Sequence, residues 1–187
     1  PSVFFTPMTS EPFELRPLQI QDKTSFRLAI SDFARSDPDF TFAFDYDPSE
    51  NFADYVDRVE AWRNGKRLPE DHVPNTYLVG VIGDRIVGRV SLRHELTDWL
   101  RSYGGHIGYG VVPSHRNRGI ATRMLRMTLP FAVAVGIDRV LVTCDEGNHA
   151  SQRVIEKCGG RYENSVWEPR YCVTKKRYWI SALTDEE

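Results

Sequence analysis

Val111-Val112-Pro113-Ser114-His115-Arg116-Asn117-Arg118-Gly119-Ile120-Ala121-Thr122 runs from a strand-like stretch through a short basic turn into a helix. The helix continues through Met124, Leu125, Met127 and Leu129 toward Val135. The first N–H groups of a helix have no partner within it, and the helix dipole adds partial positive charge there. Anions, phosphates above all, bind at such a place. Arg116 and Arg118 bring full charges beside those amides, and Gly119 lets the backbone approach a ligand with no Cβ in the way. The segment therefore reads as a cradle for a diphosphate.

Working outward, Gly105 to Val112 reads as the strand before the cradle and Asp138-Arg139-Val140-Leu141-Val142-Thr143-Cys144 as an apolar strand after the helix. Pro130 lies inside the helix and is expected to kink it or end its first half. Tyr77 to Ile82 and Arg85 to Leu92 flank Gly83-Asp84, a two-residue hairpin turn. Asn148 to Lys157 reads as a short helix closed by Gly159-Gly160, followed by strands around Arg161 to Trp167 and Tyr171 to Ile180. Toward the N-terminus, Phe13 to Leu18 suggests a first strand, and Asp22 a cap for a helix holding Phe26, Ile30 and Phe33. Asn51 to Arg67 has a helical period. Ser36 to Ser49, with Phe40, Phe42, Phe44 and Tyr46, reads as a loop packing by its rings. A crossover helix between consecutive strands implies local parallel pairing, and the flanking hairpins antiparallel pairing. The expected class is α/β (α+β): a mixed sheet with helices on its faces.

The 187 residues, 41% hydrophobic, suit one domain over 1–187. Lys+Arg 24 against Asp+Glu 26 leaves no basic excess, so nucleic acid is not expected as a partner. No apolar run approaches a membrane span. The chain opens on Pro1 rather than Met, as a processed or trimmed chain would. Pro1-Ser2-Val3-Phe4-Phe5 lacks the pattern of a signal peptide. Cys144, Cys158 and Cys172 are odd in number and unpaired in spacing. They read as small buried hydrophobes in a reducing compartment, and no metal site is expected. The cytoplasm is the expected location.

The wording Val-x-Pro followed by Arg-x-x-Gly-x-Ala resembles the acetyl-CoA loop of the GNAT superfamily of N-acetyltransferases. Asn148-His149-Ala150-Ser151-Gln152-Arg153-Val154-Ile155-Glu156-Lys157-Cys158-Gly159-Gly160 is similar to a second stretch of that family, Asn-x-x-Ala/Ser-x-x-x-x-Glu-Lys-x-Gly. Both motifs, their order and the strand between them match, and the likeness spans roughly residues 76–180. It implies a GNAT fold of about seven strands. The central strands, ending at Val112 and near Cys144, would splay to form a slot for acetyl-CoA. The cofactor-binding core would span about 76–160, with acceptor-side helices at about 21–67. Arg116, Asn117, Arg118, Gly119, Ile120, Ala121 and Thr122 would hold the pyrophosphate. Val111 and Val112 would pair with the pantetheine, and a backbone N–H there would polarise the acetyl carbonyl. Asn148 would bond the pantetheine and Ser151 would sit near the sulfur.

One departure matters. Many relatives carry a tyrosine seven residues after the asparagine as acid for the departing thiolate; here that position is Ile155. Ser151, a water, Tyr162 or Tyr171 are the substitutes offered by sequence. Glu95, in Arg93-His94-Glu95, and His106 are the candidates for general base, with a structural role open for each. Tyr109 points either toward the acceptor or into the core. Phe42, Phe44 and Tyr46 either wall an acceptor pocket, with Asp45 or Asp47 drawing an ammonium, or simply bury their rings. The leading expectation is N-acetylation of a small-molecule amine by direct attack in a ternary complex. A peptide N-terminus and a non-catalytic acyl-CoA-binding module are the alternatives. A nucleotide-binding domain is disfavoured, since neither Gly-x-x-x-x-Gly-Lys nor Gly-x-Gly-x-x-Gly occurs. The aromatic final strands offer an edge for a homodimer.

Overall fold

In the computed structural model, which describes residues 12–183, alternate residues of the central strands feed two separate cores. The signal-peptide reading of Pro1 to Phe5 lies outside the described residues. The strands are β1 (Phe13–Pro17), β2 (Asn75–Ile82), β3 (Arg85–Arg93), β4 (Ile107–Val111), β5 (Arg139–Asp145), β6 (Arg161–Glu168) and β7 (Val173–Ser181). They form one sheet in the order β1-β2-β3-β4-β5-β7-β6. Every neighbouring pair is antiparallel except β4 and β5. The helices are α1 (Lys23–Ser36), α2 (Phe52–Ala61), α3 (Ile120–Ala134) and α4 (His149–Lys157).

Leu78, Val90, Leu92 and Ile107 pack with Met124 and Leu125 of α3 and Ile155 of α4. Tyr77, Val79 and Val81 pack on the other face with Phe26 and Phe33 of α1 and Phe52 and Tyr55 of α2. The two-residue period of a strand puts these sets on opposite faces. The β2–β3 hairpin turns at Gly83, φ 61°, as its Gly-Asp signal requires. Its register slips between Gly80 and Val81, so Val87 is extra on β3. The carbonyl of that bulged residue accepts from Val112 N–H at 2.9 Å.

Three sequence expectations need correction. Pro130 neither kinks nor divides α3, which runs unbroken from Ile120 to Ala134. Pro130 and Arg126, whose carbonyl a proline at 130 deprives of its donor, are both exposed, so water can take that bond. Asp22 does not cap α1 with its side chain. Its buried carboxylate instead accepts from Arg16 at 2.7 and 2.9 Å and from Gln19 N–H at 2.8 Å, closing the turn after β1. Cys144 and Cys158 are buried as expected, but Cys172 is exposed, in the β6–β7 turn.

Candidate active site

The parallel register of β4 and β5 pairs Ile107 with Val142 and nothing beyond it. At the closed end His106 N–H donates to Leu141 O at 2.7 Å, and Leu141 N–H donates to His106 Nδ1 at 2.8 Å. Gly105 is left-handed there (φ 66°), and a Cβ on it would stand 2.6 Å from Leu141 O. Past this clamp the strands part, as the slot requires. The gap opens into a cleft of about 530 Å³. Tyr109, Gly110 and Val111 line one side of it, Asn148 and Ser151 another, and the start of α3 its end.

At that end Asn117 (φ 62°) and Gly119 (φ 74°) are both left-handed around Arg118. No backbone N–H from Asn117 to Thr122 reaches an acceptor among the described residues, and no side chain caps α3. Successive amides turned inward by such a backbone make an anion-binding nest. Nothing lies within 4 Å of where a Cβ of Gly119 would stand. These residues therefore fit a diphosphate held by backbone alone.

The arginines divide differently from the expectation. Arg116 Nη2 donates to Asp37 at 2.7 Å and its Nε to Val111 O at 3.2 Å, so its charge also ties the turn to the end of α1. Ser114 Oγ donates to Asp32 of α1 at 2.6 Å, which holds that half-buried carboxylate below its usual pKa. Arg118 is exposed. Arg153 and Lys157 of α4, not singled out by sequence, line the cleft and add to its positive charge.

Val112 does not meet the cleft as expected. Its side chain is buried in the α1–α2 core, and its N–H is taken by Val87 O. Backbone groups alternate in direction along a strand, so the neighbouring Val111 amide faces the gap. Asn148 caps α4, its Oδ1 accepting from Ser151 N–H at 3.0 Å, and its amide nitrogen is left for the cleft. Ser151 Oγ stands 2.7 Å from Tyr109 Oη. Burial pushes the Tyr109 phenol up, partly offset by that bond. Ile155 faces the core and is fully buried, with Gly160 packed against it. Its place as a proton donor is therefore not merely vacant but sealed, and the hydroxyl beside Ser151 comes from β4.

The other candidates fall elsewhere. Tyr162 lies on the outer strand β6, bonded to Ser165, and lines neither cavity. Glu95 is exposed just past β3 and also lines neither. His94 Nε2 pairs with Thr76 Oγ1 at 2.9 Å, and burial lowers its pKa. For His106, burial, with Arg101 and Arg93 nearby, lowers the pKa to about 4. Its Nδ1 lone pair is engaged by Leu141 N–H, so taking up a proton there would break the clamp.

On the α1–α2 side of the sheet lies a second cavity of about 680 Å³. Phe44, His72, Ser91, Arg93, Trp99 and Tyr171 line it. Phe42 is buried in the core, and Tyr46 accepts from Arg27 Nε at 3.0 Å and packs on Tyr55. Asp45 pairs with Arg58 at 3.6 Å and Asp47 accepts from Ser49 at 2.7 and 2.8 Å, so the loop uses the carboxylates expected to draw an ammonium. Of that loop, Phe44 alone among Phe42, Phe44 and Tyr46 reaches the cavity.

Parallel strands that part beside a nest of free amides fit a protein that binds a diphosphate-bearing ligand in the gap. The model of the acetyltransferase (GNAT) domain matches residues 13–161, and the chain belongs to that family. It is an acyltransferase with acetyl-CoA as donor. No curated protein matches the chain in sequence. Among solved structures it is similar to the microcin C7 self-immunity acetyltransferase MccE, crystallised with acetyl-CoA and AMP. The identity is 17%, over 90% of this chain and 92% of that one, with a TM-score of 0.63. RimJ of Mycobacterium smegmatis, in complex with a CoA-disulfide, is 21% identical over 91% and 82% of the two chains, TM-score 0.62. An acetyl transferase of Salmonella typhimurium that modifies the N-terminal serine of ribosomal protein L7/L12 is 16% identical over 92% and 95%, TM-score 0.63. Among the described residues no group of three or more His, Cys, Asp or Glu is placed to hold a metal ion, and no helix is long and apolar enough to cross a membrane.

Proposed function

We propose that this enzyme N-acetylates a primary amine on a small molecule by direct attack in a ternary complex. The observation that carries the reading is the pair of cavities at one step of β4. Tyr109 lines the donor cleft, and Gly108 beside it lies under Arg93, which lines the second cavity. Acetyl-CoA supplies the activated acetyl group. The nest from Asn117 to Thr122 holds its diphosphate, and the Val111 amide faces the gap where a developing oxyanion needs a donor. With Tyr109 Oη as the donor in its bond to Ser151 Oγ, the Ser151 proton is free to bond the departing sulfur. Tyr109 is thus a positioning residue and Ser151 the catalytic one. An alkyl thiolate leaves near neutral pH with a hydrogen bond alone.

For the base, neither His106 nor Glu95 has a free lone pair inside a cavity, so the attacking nitrogen gives its proton to water. A peptide N-terminus, as in the Salmonella relative, is the competing acceptor. The aromatic walls of Phe44, Trp99 and Tyr171 favour a small molecule. We place the enzyme in the cytoplasm, where acetyl-CoA and free thiols such as Cys144 and Cys158 fit. A homodimer through β6, whose Tyr162 and Trp167 are exposed at the sheet edge, extends the same reading. The test is CoA release from acetyl-CoA by the purified protein over a panel of small amines and N-terminal peptides. Turnover of small amines supports the proposal. Turnover of peptides only, or CoA binding without turnover of anything, overturns it.

A further inference from the structure

Beside the second cavity stand two arginines that pair with no carboxylate among the described residues. Arg89 is buried, with its guanidinium between the rings of Phe40 and Phe44, 4.5 and 4.7 Å from their centroids. Its protein acceptors are the carbonyls of Thr41 and Gly108, and its Nε is buried without any partner. Burial lowers its pKa to about 10, and the charged side chains that act on it include no acid. Arg93, two residues on and so on the same face of β3, lines the cavity. Its Nη1 donates to Gly104 O and Gly105 O, both at 3.1 Å. Nε and Nη2, the edge of the guanidinium that grips a carboxylate or phosphate with two parallel bonds, find no partner among the described residues. Burial disfavours its charge as well. Glu70 and Asp71 line the same cavity but pair with neither arginine. Buried cations are costly unless something pairs with them. An anion bound in the cavity that Arg93 lines would supply the missing partner.

We infer that the acceptor amine carries its own anion, a carboxylate or phosphonate, which docks on the Nε–Nη2 edge of Arg93 with Arg89 behind it. This deepens the proposed N-acetyl transfer and rests on it. Arg93 reaches the strand that borders the donor cleft. Its Nη2 lies 3.4 Å from where a Cβ of Gly108 would stand, and the next residue, Tyr109, faces the donor cleft. Adjacent strand residues face opposite sides of a sheet, so an acceptor whose anion rests on Arg93 presents its nitrogen toward the gap beside β4, as an α-amino acid can. Phe44, Trp99 and Tyr171 then leave aromatic-walled room for an apolar side chain. Polyamines and other purely cationic amines are excluded.

Calorimetry in the presence of CoA reads acceptor binding without needing turnover. L-Phenylalanine, its phosphonate analogue, L-phenylalaninamide and phenethylamine serve as probes, with CoA release measured in parallel. The acid or the phosphonate should bind, and whichever is preferred names the anion. The amide and the decarboxylated amine should bind weaker by about 10² or more, since each leaves the arginine unpaired. Arg93→Lys, which keeps the charge but not the fork, should lose about tenfold for the acid and little for the amide, with acetyl-CoA affinity unchanged. Equal binding of acid, amide and amine by the unaltered protein overturns the inference, as does no binding of either anion. Anion-dependent binding with no CoA release leaves the inference standing and sinks the proposed transfer instead.

Discussion

At Gly119 a left-handed backbone and open space coincide, so any side chain placed there is strained and projects freely at the mouth of the donor cleft. Gly119→Glu should weaken CoA binding at least about tenfold, near 1.4 kcal/mol, in a calorimetric titration. Gly119→Asn tolerates the left-handed conformation and separates strain from charge; it should keep most of the affinity. Equal losses in both would remove the charge argument. At the thioester end, Tyr109→Phe leaves the ring and deletes the hydroxyl that orients Ser151. Turnover should fall about tenfold with the KM for acetyl-CoA unchanged, and Ser151→Ala should cost as much or more. A Tyr109→Phe enzyme with full turnover would leave Ser151 acting alone. The turn into α3 and the start of the helix after Asn148 were legible because each depends on neighbours within a few positions. Arg116 was only half legible, because its partner Asp37 is 79 residues away. Tyr109 and Arg93 were opaque as a pair of roles: which face a strand residue turns to depends on register, and register is set by β2 and β5 rather than by local spacing.

Elements carry the next level, and the β4–β5 gap shows why. The Gly-Asp hairpin, the apolar β5 and the long α3 announce themselves by turn chemistry and period, whereas the splay needs a clamp at one end. His106 and Gly105 make that clamp from a side chain and a left-handed glycine, and although a structural role for His106 was open in the linear reading, its partner Leu141 was not visible there. The His106 imidazole titrates near 4 in the folded chain against an ordinary 6.5 when unfolded. Below 6.5 the unfolded state binds a proton that the folded state refuses. The contribution is therefore complete above about pH 6.5 and is lost as pH falls toward 4. Melting measured between pH 7 and 4 should show a fall in Tm of several degrees from this group, reduced in His106→Gln. An identical pH slope in the variant would assign the acid sensitivity to other groups. The proline in α3 carries the opposite lesson. Pro130 has the composition of a break but stands on the solvent side, where water can satisfy the carbonyl it frees. Pro130→Ala should therefore change stability far less than the roughly 3 kcal/mol associated with a proline in a helix interior.

On the scale of the whole molecule, the donor cleft gathers β4, the start of α3 and α4 around a gap the sheet cannot close by itself. The strands there share one paired position, and the amides from Asn117 to Thr122 have no internal acceptors. A ligand in the cleft supplies contacts that the chain lacks and binds only the folded state. At a CoA concentration 100 times Kd the gain is about 2.7 kcal/mol. For a chain of this size that corresponds to a rise in Tm of roughly 5–10 °C. The same addition should slow hydrogen exchange most at Asn117 to Thr122 and along Tyr109 to Val111. The β6–β7 pair, paired along its length apart from one bulge at Glu163 and away from the cleft, should respond least. Gly119→Glu should weaken both responses together, a tenfold loss of affinity leaving about 1.4 kcal/mol of the gain at the same CoA concentration. If CoA raised Tm while exchange in the nest stayed unchanged, the diphosphate would be held elsewhere, and Arg153 and Lys157 on α4 would be the first side chains to substitute.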